Sequence, residues 1–140
     1  MSIELVNAAI AAAVHAYAPY SNFHVGAALL LEDGHIVTGS NFENASYGMT
    51  LCAETVAIAK ANSEGMMRSI IAIAVAGGLS GLVAKNTEPV TPCGRCRQII
   101  KEVADLTERD IPVYCAHAGG YDTYLLSELL PHGFGPTNLK

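Results

Sequence analysis

Residues 69–76 have the sequence SIIAIAVA, and this stretch decides the fold class. Its apolar run is continuous rather than alternating, which is typical of a strand buried on both faces of a sheet. Residues 52–62 before it and 94–104 after it contain good helix formers and no proline. A buried strand between two helices predicts an α/β domain, in which helices pack on a sheet.

The sequence on either side supplies more strands for this sheet. Residues 25–31 and 36–37 are apolar and are separated by a turn with Asp33-Gly34, which is a strong β-hairpin signal. We expect two further strands, one at 112–115 and one at the edge of the sheet at 121–124.

A first helix is predicted at residues 3–17, because apolar side chains recur there at steps of three and four: Ile3, Val6, Ile10, Val14 and Tyr17. A short last helix is predicted at 125–130. Residues 77–91 contain two early glycines and a proline, and we expect a long loop there. The chain has no repeat and no internal boundary, so residues 1–140 are predicted to form one domain.

The composition restricts the classes of partner. Only 15% of the 140 residues are charged, against about 25% in an ordinary domain, which indicates that other subunits cover part of the surface. The formal net charge is −5 and no Lys or Arg precedes Lys60, which argues against binding to a phosphate backbone. No apolar stretch approaches the roughly 20 residues of a membrane span, and the N-terminus lacks the basic charge of a secretory leader. We therefore expect a cytoplasmic protein that binds neither nucleic acid nor membrane.

Two short motifs carry the reactive side chains. They are CAE at 52–54 and PCGRC at 92–96, each at the predicted start of a helix. The thiolates of Cys52, Cys93 and Cys96 suit zinc, and three protein ligands leave a fourth tetrahedral position open for a water that the ion activates. The partial positive charge of a helix N-terminus favours ionised thiols. Glu54, two residues beyond a ligand, is placed to carry protons beside such an ion.

Two other interpretations of the cysteines stay open at this point. The Cys-x-x-Cys pair alone would also serve as a redox pair, although no thioredoxin-like sequence surrounds it. A structural zinc site has four protein ligands, and Cys115 or His117 is available as the fourth. Cys115 lies in a strand-like run, however, where a free cysteine is usually a small buried apolar side chain. The spacing favours the open, catalytic site.

The two motifs together resemble the three-cysteine form of the zinc deaminases, in which the Glu moves protons and does not bind the metal. Over nearly its whole length the chain resembles the small homotetrameric cytidine deaminases. The resembling stretches are AYAPYS (16–21), FHVGAALL (23–30), NFENASY (41–47), CAE (52–54), TPCGRCRQ (91–98) and LLPHGFGP (129–136). This resemblance implies a three-layer α/β/α fold with a mixed sheet of about five strands.

The resemblance also implies an activity, which is the hydrolysis of cytidine and 2′-deoxycytidine to uridine and 2′-deoxyuridine in pyrimidine salvage. In such an enzyme Cys52, Cys93 and Cys96 bind one zinc ion per subunit. Glu54 protonates ring atom N3 of the cytosine and then the departing amino group, which leaves as ammonia.

Further roles follow from the resemblance for residues that would contact the nucleoside. Asn41 and Glu43 hydrogen-bond the ribose hydroxyls, and the ring of Phe23 packs against the substrate. The backbone at Ala53 contacts the pyrimidine, and the Thr91 carbonyl meets the leaving amino group. Without the resemblance, Phe23 is equally typical of a core residue, Glu43 of a solvated loop and Asn41 of a turn.

Two more residues are implied to act between subunits of a homotetramer. Phe134 matches an aromatic residue of the C-terminal tail that such enzymes lend to a neighbouring active site. Tyr47 lies in a loop that reaches across the same interface. By residue type alone, Phe134 also suits an apolar core.

One position departs from the family pattern. Cytidine deaminases commonly have Arg directly after the catalytic Glu, and this chain has Thr55; between the paired cysteines it has Arg95, where a small residue is common. Three thiolates on one Zn²⁺ carry a net charge of −1. We hypothesise that Arg95 offsets this charge by donating to a thiolate; the alternative is a solvated helix residue.

Three rival functions remain beside cytidine deamination. Thr55 and Arg95 also resemble the blasticidin S deaminases, which act on a cytosine nucleoside antibiotic, and deamination of modified cytidines belongs to the same alternative. A zinc-stabilised binding module without turnover would require four protein ligands on the metal and no role for Glu54. Editing of tRNA or DNA is disfavoured by the acidic balance of the chain.

Overall fold

The computed structural model describes residues 1–140 and places five strands in one sheet. In chain order the strands are β1 (Phe23–Leu31), β2 (Ile36–Ser40), β3 (Ile70–Leu79), β4 (Pro112–His117) and β5 (Gly120–Leu125). Their spatial order is β2-β1-β3-β4-β5. Only β3 and β4 run parallel, and the other neighbours are antiparallel. The predicted mixed five-stranded sheet is confirmed.

Helices lie on both faces of this sheet. They are α1 (Ser2–Ala13), α2 (Ala53–Ser63), α3 (Gly94–Thr107) and the short α4 (Leu126–Leu129). Helix α1 buries Leu5 against one face, together with Ala74 of β3. Helices α2 and α3 bury Ala57 and Ile100 against the other face, together with Val75 of β3. The continuous apolar run of β3 therefore faces a core on each side, and the α/β/α layering is confirmed. None of the helices has the length and apolarity that crossing a membrane requires.

Two glycines allow helices to approach the sheet closely. A Cβ atom at Gly26 of β1 would lie 1.9 Å from the carbonyl oxygen of Ala9 in α1. A Cβ atom at Gly39 of β2 would lie 2.6 Å from the carbonyl oxygen of Ala53 and 2.6 Å from the nitrogen of Ala57 in α2. Any larger residue at Gly39 would displace α2, which begins directly after Cys52.

Helix α1 ends at Ala13, although the sequence pattern predicts a helix as far as Tyr17. Tyr17 leaves the helix because its backbone pairs with the segment that follows β2. Its N–H donates to the Asn41 carbonyl at 2.9 Å, and its carbonyl accepts from the N–H of Glu43 at 2.9 Å. The predicted C-terminal turn of the helix is therefore wrong, because backbone pairing outweighs apolar periodicity there.

The predicted apolar face of α1 is also partly wrong, because Ile3 and Val14 are exposed. The residues that α1 buries are mostly small: Leu5, Val6, Ala9, Ala12 and Ala13. Close contact with β1 at Gly26 leaves room only for small side chains between helix and sheet, so the larger residues lie outside it.

Strand β3 extends beyond its predicted end at residue 76. Gly77 and Gly78, which we expected to begin a loop, pair instead with Val25 and His24 of β1. A Cβ atom at Gly77 would lie 3.1 Å from the ring of Phe23. These glycines therefore do not form a turn. They lie within β3, and at Gly77 the missing side chain leaves room for the ring of Phe23. The other predicted helices and strands agree with the structure to within three residues at either end.

Candidate functional site

Three cysteine sulfurs come together where α2 and α3 begin. Cys52 is the N-cap residue of α2, Cys93 is the N-cap residue of α3, and Cys96 lies in the first turn of α3. The three Sγ atoms lie within 4.8 Å of one another, and those of Cys52 and Cys93 are 3.7 Å apart. Two thiolates bound to one tetrahedral zinc, each at about 2.3 Å, stand about 3.8 Å apart. The spacing and the soft sulfur donors therefore fit a zinc ion.

The structure provides no fourth protein ligand for this group. Cys115 is fully buried elsewhere, and its burial raises the pKa of the thiol to about 12, so that it stays protonated. The ring of His117 is engaged by Asp122, with Nε2 and Oδ1 3.0 Å apart. The donor set is thus the open, three-ligand kind that is typical of catalytic zinc.

The pKa values of two thiols in the group are shifted in opposite directions. A hydrogen bond with Cys96 lowers the pKa of Cys52 to about 6, while the charge of Arg95 acts in the same direction and burial opposes it. The same hydrogen bond, together with burial, raises the pKa of Cys96. Since metal ligands must be deprotonated, a metal ion would displace the protons that remain here.

The residue that hydrogen-bonds the cluster is Thr55. Its Oγ1 lies 3.4 Å from the Sγ of Cys96. Arg95 is exposed and makes no side-chain hydrogen bond, although its positive charge lowers the pKa of Cys52. The contact with a ligand sulfur that we expected from Arg95 is made by Thr55 in this structure, and charge compensation by Arg95 stays a prediction.

Glu54 lies beside the cysteines in the first turn of α2, and only 3% of its surface is exposed. Burial raises the pKa of its carboxyl to about 7, and the nearby charge of Cys52 adds to the effect. The carboxyl does not belong to the ligand group. An acid with a pKa near neutrality both gives and takes a proton readily, so Glu54 is suited to proton transfer.

The raised pKa of Glu54 predicts how the stability of the metal-free protein depends on pH. The folded chain keeps this proton up to about pH 7, whereas the unfolded chain releases it near the usual 4.5. Unfolding between these values releases a proton from Glu54, so the contribution of Glu54 to the free energy of unfolding falls as the pH rises, by about 3 kcal/mol in total. Above about pH 6 the lowered pKa of Cys52 acts in the opposite direction, so the fall is obtained as the difference between wild type and Glu54→Gln. Urea unfolding of the reduced, metal-free protein at several pH values would measure this fall. The Glu54→Gln variant should lack it, and an equal fall in both proteins would contradict the assignment.

A cavity of about 290 Å³ opens above the cysteines and Glu54. Its volume is near the lower end of the range for small-molecule pockets, roughly 300–1,000 Å³. The residues around it come from β1, from the loops after β2 and β3 and from the starts of α2 and α3: Phe23, Val25, Asn41, Thr50, Cys52, Ala53, Glu54, Val90, Thr91 and Cys93. The structure thus brings most of the predicted site residues around one cavity.

Three of the residues predicted to bind the nucleoside lie outside this cavity. Glu43 and Tyr47 line a neighbouring, more open depression, and Thr50 belongs to both. Phe134 is 57% exposed, and its carbonyl accepts a hydrogen bond from Nε2 of Gln98 at 2.7 Å. Tyr47 is 75% exposed. Neither Tyr47 nor Phe134 contributes to the cavity of its own chain.

The sequence over residues 2–109 matches one family model, the cytidine and deoxycytidylate deaminase zinc-binding region. The chain belongs to this family. A cytidine deaminase of Halalkalibacterium halodurans is 48% identical over 131 residues, which cover 93% of this chain and 91% of that protein. A cytidine deaminase of Sporosarcina psychrophila is 45% identical over 126 residues, which cover 89% of this chain and 85% of that protein. The resemblance predicted from the motifs is confirmed.

The fold is likewise similar to those of solved cytidine deaminases. A crystal structure from Burkholderia pseudomallei has a TM-score of 0.81 at 40% identity and covers 94% of this chain and 97% of that one. A crystal structure of the cytidine deaminase from Mycobacterium tuberculosis has a TM-score of 0.73 at 39% identity and covers 94% of this chain and 95% of that one. Membership of this zinc-binding family identifies zinc as the metal that fits the three-cysteine group.

Arg97 is a residue whose position the sequence did not explain. Its Nε donates to the Pro92 carbonyl at 2.7 Å, its Nη1 to the Leu129 carbonyl at 2.8 Å and its Nη2 to the hydroxyl of Thr91 at 3.0 Å. One guanidinium thus holds the segment before Cys93 against the end of α4. Two of its three partners are backbone carbonyls, which have no signature in the sequence.

Three other residues that line the cavity were not predicted from the sequence. Val25 was detectable, because it lies two residues from Phe23 on β1 and therefore on the same face of the strand. Thr50 and Val90 lie in irregular segments, and no pattern placed them at the site.

Proposed function

We propose that this member of the deaminase family hydrolyses cytidine and 2′-deoxycytidine to uridine and 2′-deoxyuridine with release of ammonia. The observation that carries the proposal is the buried carboxyl of Glu54 beside three converging thiols, at the base of a cavity large enough for a small molecule. The names of the relatives that cover most of the chain support a cytosine nucleoside as the substrate.

The chain's own residues divide the work of this reaction. Cys52, Cys93 and Cys96 would hold a zinc ion, which when bound would supply a water activated at neutral pH. Glu54 takes a proton from the attacking water and gives it to ring atom N3 as the oxygen of that water bonds to C4. It then carries the second proton of the water to the amino group at C4, so that the C–N bond breaks, the C4 carbonyl forms and ammonia leaves. The carbonyl of Thr91 accepts a hydrogen bond from that amino group, and the backbone of Ala53 contacts the pyrimidine. The walls of the cavity keep bulk water from the carboxyl, which strengthens each of these interactions.

The sugar end of the cavity is formed by Phe23, Asn41 and, in the adjoining depression, Glu43. The ring of Phe23 supplies an apolar surface for the nucleoside. Asn41 and Glu43 supply amide and carboxylate partners, which suit hydroxyl groups because a hydroxyl both donates and accepts.

We also propose that four copies of the chain assemble, with Tyr47 and Phe134 each completing a neighbouring site. Large aromatic side chains are exposed on the loops around the cavity and form two tilted ring contacts, Tyr17 with Phe42 and Tyr20 with Tyr47. Exposed apolar groups of this kind mark contact surfaces in soluble proteins. Light scattering should give four times the 14.7 kDa of one chain, and a monomeric mass at full activity would refute the shared site.

The function is tested by turnover with defined nucleosides. Zinc-loaded protein is incubated with cytidine, 2′-deoxycytidine and blasticidin S, and ammonia and the ultraviolet change are followed. Turnover of the two cytidines would support the proposal. Turnover of blasticidin S alone would indicate the related antibiotic deaminase, and bound zinc without any turnover would indicate a binding module. A single domain over residues 1–140, a cytoplasmic location and a place in pyrimidine salvage remain predictions.

A further inference from the structure

The hydroxyl of Ser21 connects two of the residues proposed to hold the nucleoside. It donates a hydrogen bond to Oε2 of Glu43 and accepts one from the backbone N–H of Phe23 at 3.0 Å. The other carboxylate oxygen, Oε1, accepts from the N–H groups of Tyr20 and Ser21 at 3.0 and 3.2 Å. Glu43 is thus held by three donors of one turn.

The same network continues to Asn41. Its Nδ2 donates to the carbonyl of Phe23 at 2.9 Å, and its Oδ1 accepts from the N–H of Val25 at 2.9 Å. Glu43, Phe23 and Asn41 are therefore fixed relative to one another through the start of β1. Ser21 is the link between the carboxylate and the rest of this network.

The contacts of Glu43 leave a defined capacity for a ligand. An ionised carboxylate has about four acceptor sites, and three are occupied by protein donors. The hydrogen bond from Ser21 lowers the pKa of Glu43, so the carboxylate stays ionised at neutral pH and only accepts. The remaining site therefore takes one hydrogen-bond donor, and a sugar hydroxyl is such a donor.

The turn around Ser21 does not depend on its hydroxyl. The N–H of Asn22 donates to the Ala18 carbonyl at 3.0 Å, and the N–H of Ser80 donates to the Asn22 carbonyl at 3.1 Å. Both backbone donors to Oε1 of Glu43 also remain when the hydroxyl is removed. Loss of the hydroxyl thus frees Oε2 of Glu43 and the N–H of Phe23, while the other hydrogen bonds of the turn remain.

We propose that Ser21 is a positioning residue that orients the carboxylate of Glu43 toward a single sugar hydroxyl and so sets the sugar specificity of the site. This inference rests on the proposed nucleoside deamination. The Ser21→Ala variant is expected to raise the KM for cytidine about tenfold, because a charge-assisted hydrogen bond then forms only after a mobile carboxylate is ordered. The kcat should change little, since Ser21 does not touch the reacting atoms.

The decisive experiment compares substrates that each lack one hydroxyl. Steady-state kinetics of wild type and Ser21→Ala are measured with cytidine and with its 2′-deoxy, 3′-deoxy and 5′-deoxy forms. The increase in KM should disappear for the one analogue that lacks the hydroxyl bound by Glu43. Ser21→Thr keeps a hydroxyl and should restore the KM. Ser63→Ala, at the far end of α2, is the matched control and should behave as wild type.

Three outcomes would overturn the inference, and the last of them would also overturn the proposed function. An unchanged KM in Ser21→Ala would remove any role for the hydroxyl. An equal increase for all four substrates would assign Ser21 to the general stability of the turn. Absence of wild-type turnover on every nucleoside would refute the proposed function itself, and the inference with it.

Discussion

Replacing Glu54 with Gln is expected to lower the kcat for cytidine by roughly 10²–10⁴-fold, which is the usual contribution of a positioned acid-base group. Gln has nearly the same shape but neither takes up nor releases a proton near neutral pH. Because the side chain is only 3% exposed, bulk water is not in place to substitute for it. Steady-state kinetics of the zinc-loaded variant measure the loss.

The specificity of this effect is judged against another residue of the same helix. Glu64 is the exposed C-cap residue of α2, so Glu64→Gln makes the same chemical change far from the cysteines. The control should keep the wild-type kcat, and both variants should retain the zinc of the wild type. More than a tenth of the activity in Glu54→Gln would exclude the carboxyl as the proton carrier.

Replacing Cys96 with Ala is expected to weaken zinc binding by more than about a hundredfold. Even the loss of an outer partner of a metal ligand costs roughly 10–100-fold in affinity, and Cys96 is one of only three ligands. The variant should also lose the increase in melting temperature that zinc gives to the folded protein. Competition with a chromophoric chelator measures the affinity, and elemental analysis gives the bound zinc per chain.

Cys115 supplies the matched control for this experiment. Cys96 and Cys115 are both free and fully buried, so conversion to Ala removes a sulfur from the interior in each case. Only Cys96 belongs to the three-sulfur group. Cys115→Ala should therefore keep its zinc. Equal loss of zinc from the two variants would show that the effect comes from a disturbed core and not from a lost ligand.

The grouping of the three cysteines with Glu54 was predictable because each of these residues lies in a short local motif. Cys52 and Glu54 belong to one helix start, and Cys93 and Cys96 belong to another, so a few neighbouring residues set their geometry. The exposure of Tyr47 and Phe134 was expected only through the family resemblance. Nothing in one chain's composition distinguishes an aromatic residue at an interface from one in a core.

The end of α1 and the partners of Thr55, Arg97 and Ser21 were not predictable. Tyr17 follows the apolar pattern of a helix, but pairing with the segment around Phe42 removes it from α1. The hydroxyl of Thr55 meets Cys96 only because α2 and α3 start side by side. Such contacts depend on the distance between elements, which the pattern of residues within each element does not specify.

The sequence by itself determined the central strand at 69–76, the hairpin, the helices that follow Cys52 and Cys93, and the residue types that suit zinc and proton transfer. These features depend on propensities and spacings that act over a few residues. Tertiary structure alone decided that Cys52 and Cys93, 41 residues apart, meet at 3.7 Å, and that Ser21 and Arg97 hold Glu43 and Pro92. The reason is physical: every residue carries the same backbone donors and acceptors, so only the packed fold selects which of them meet.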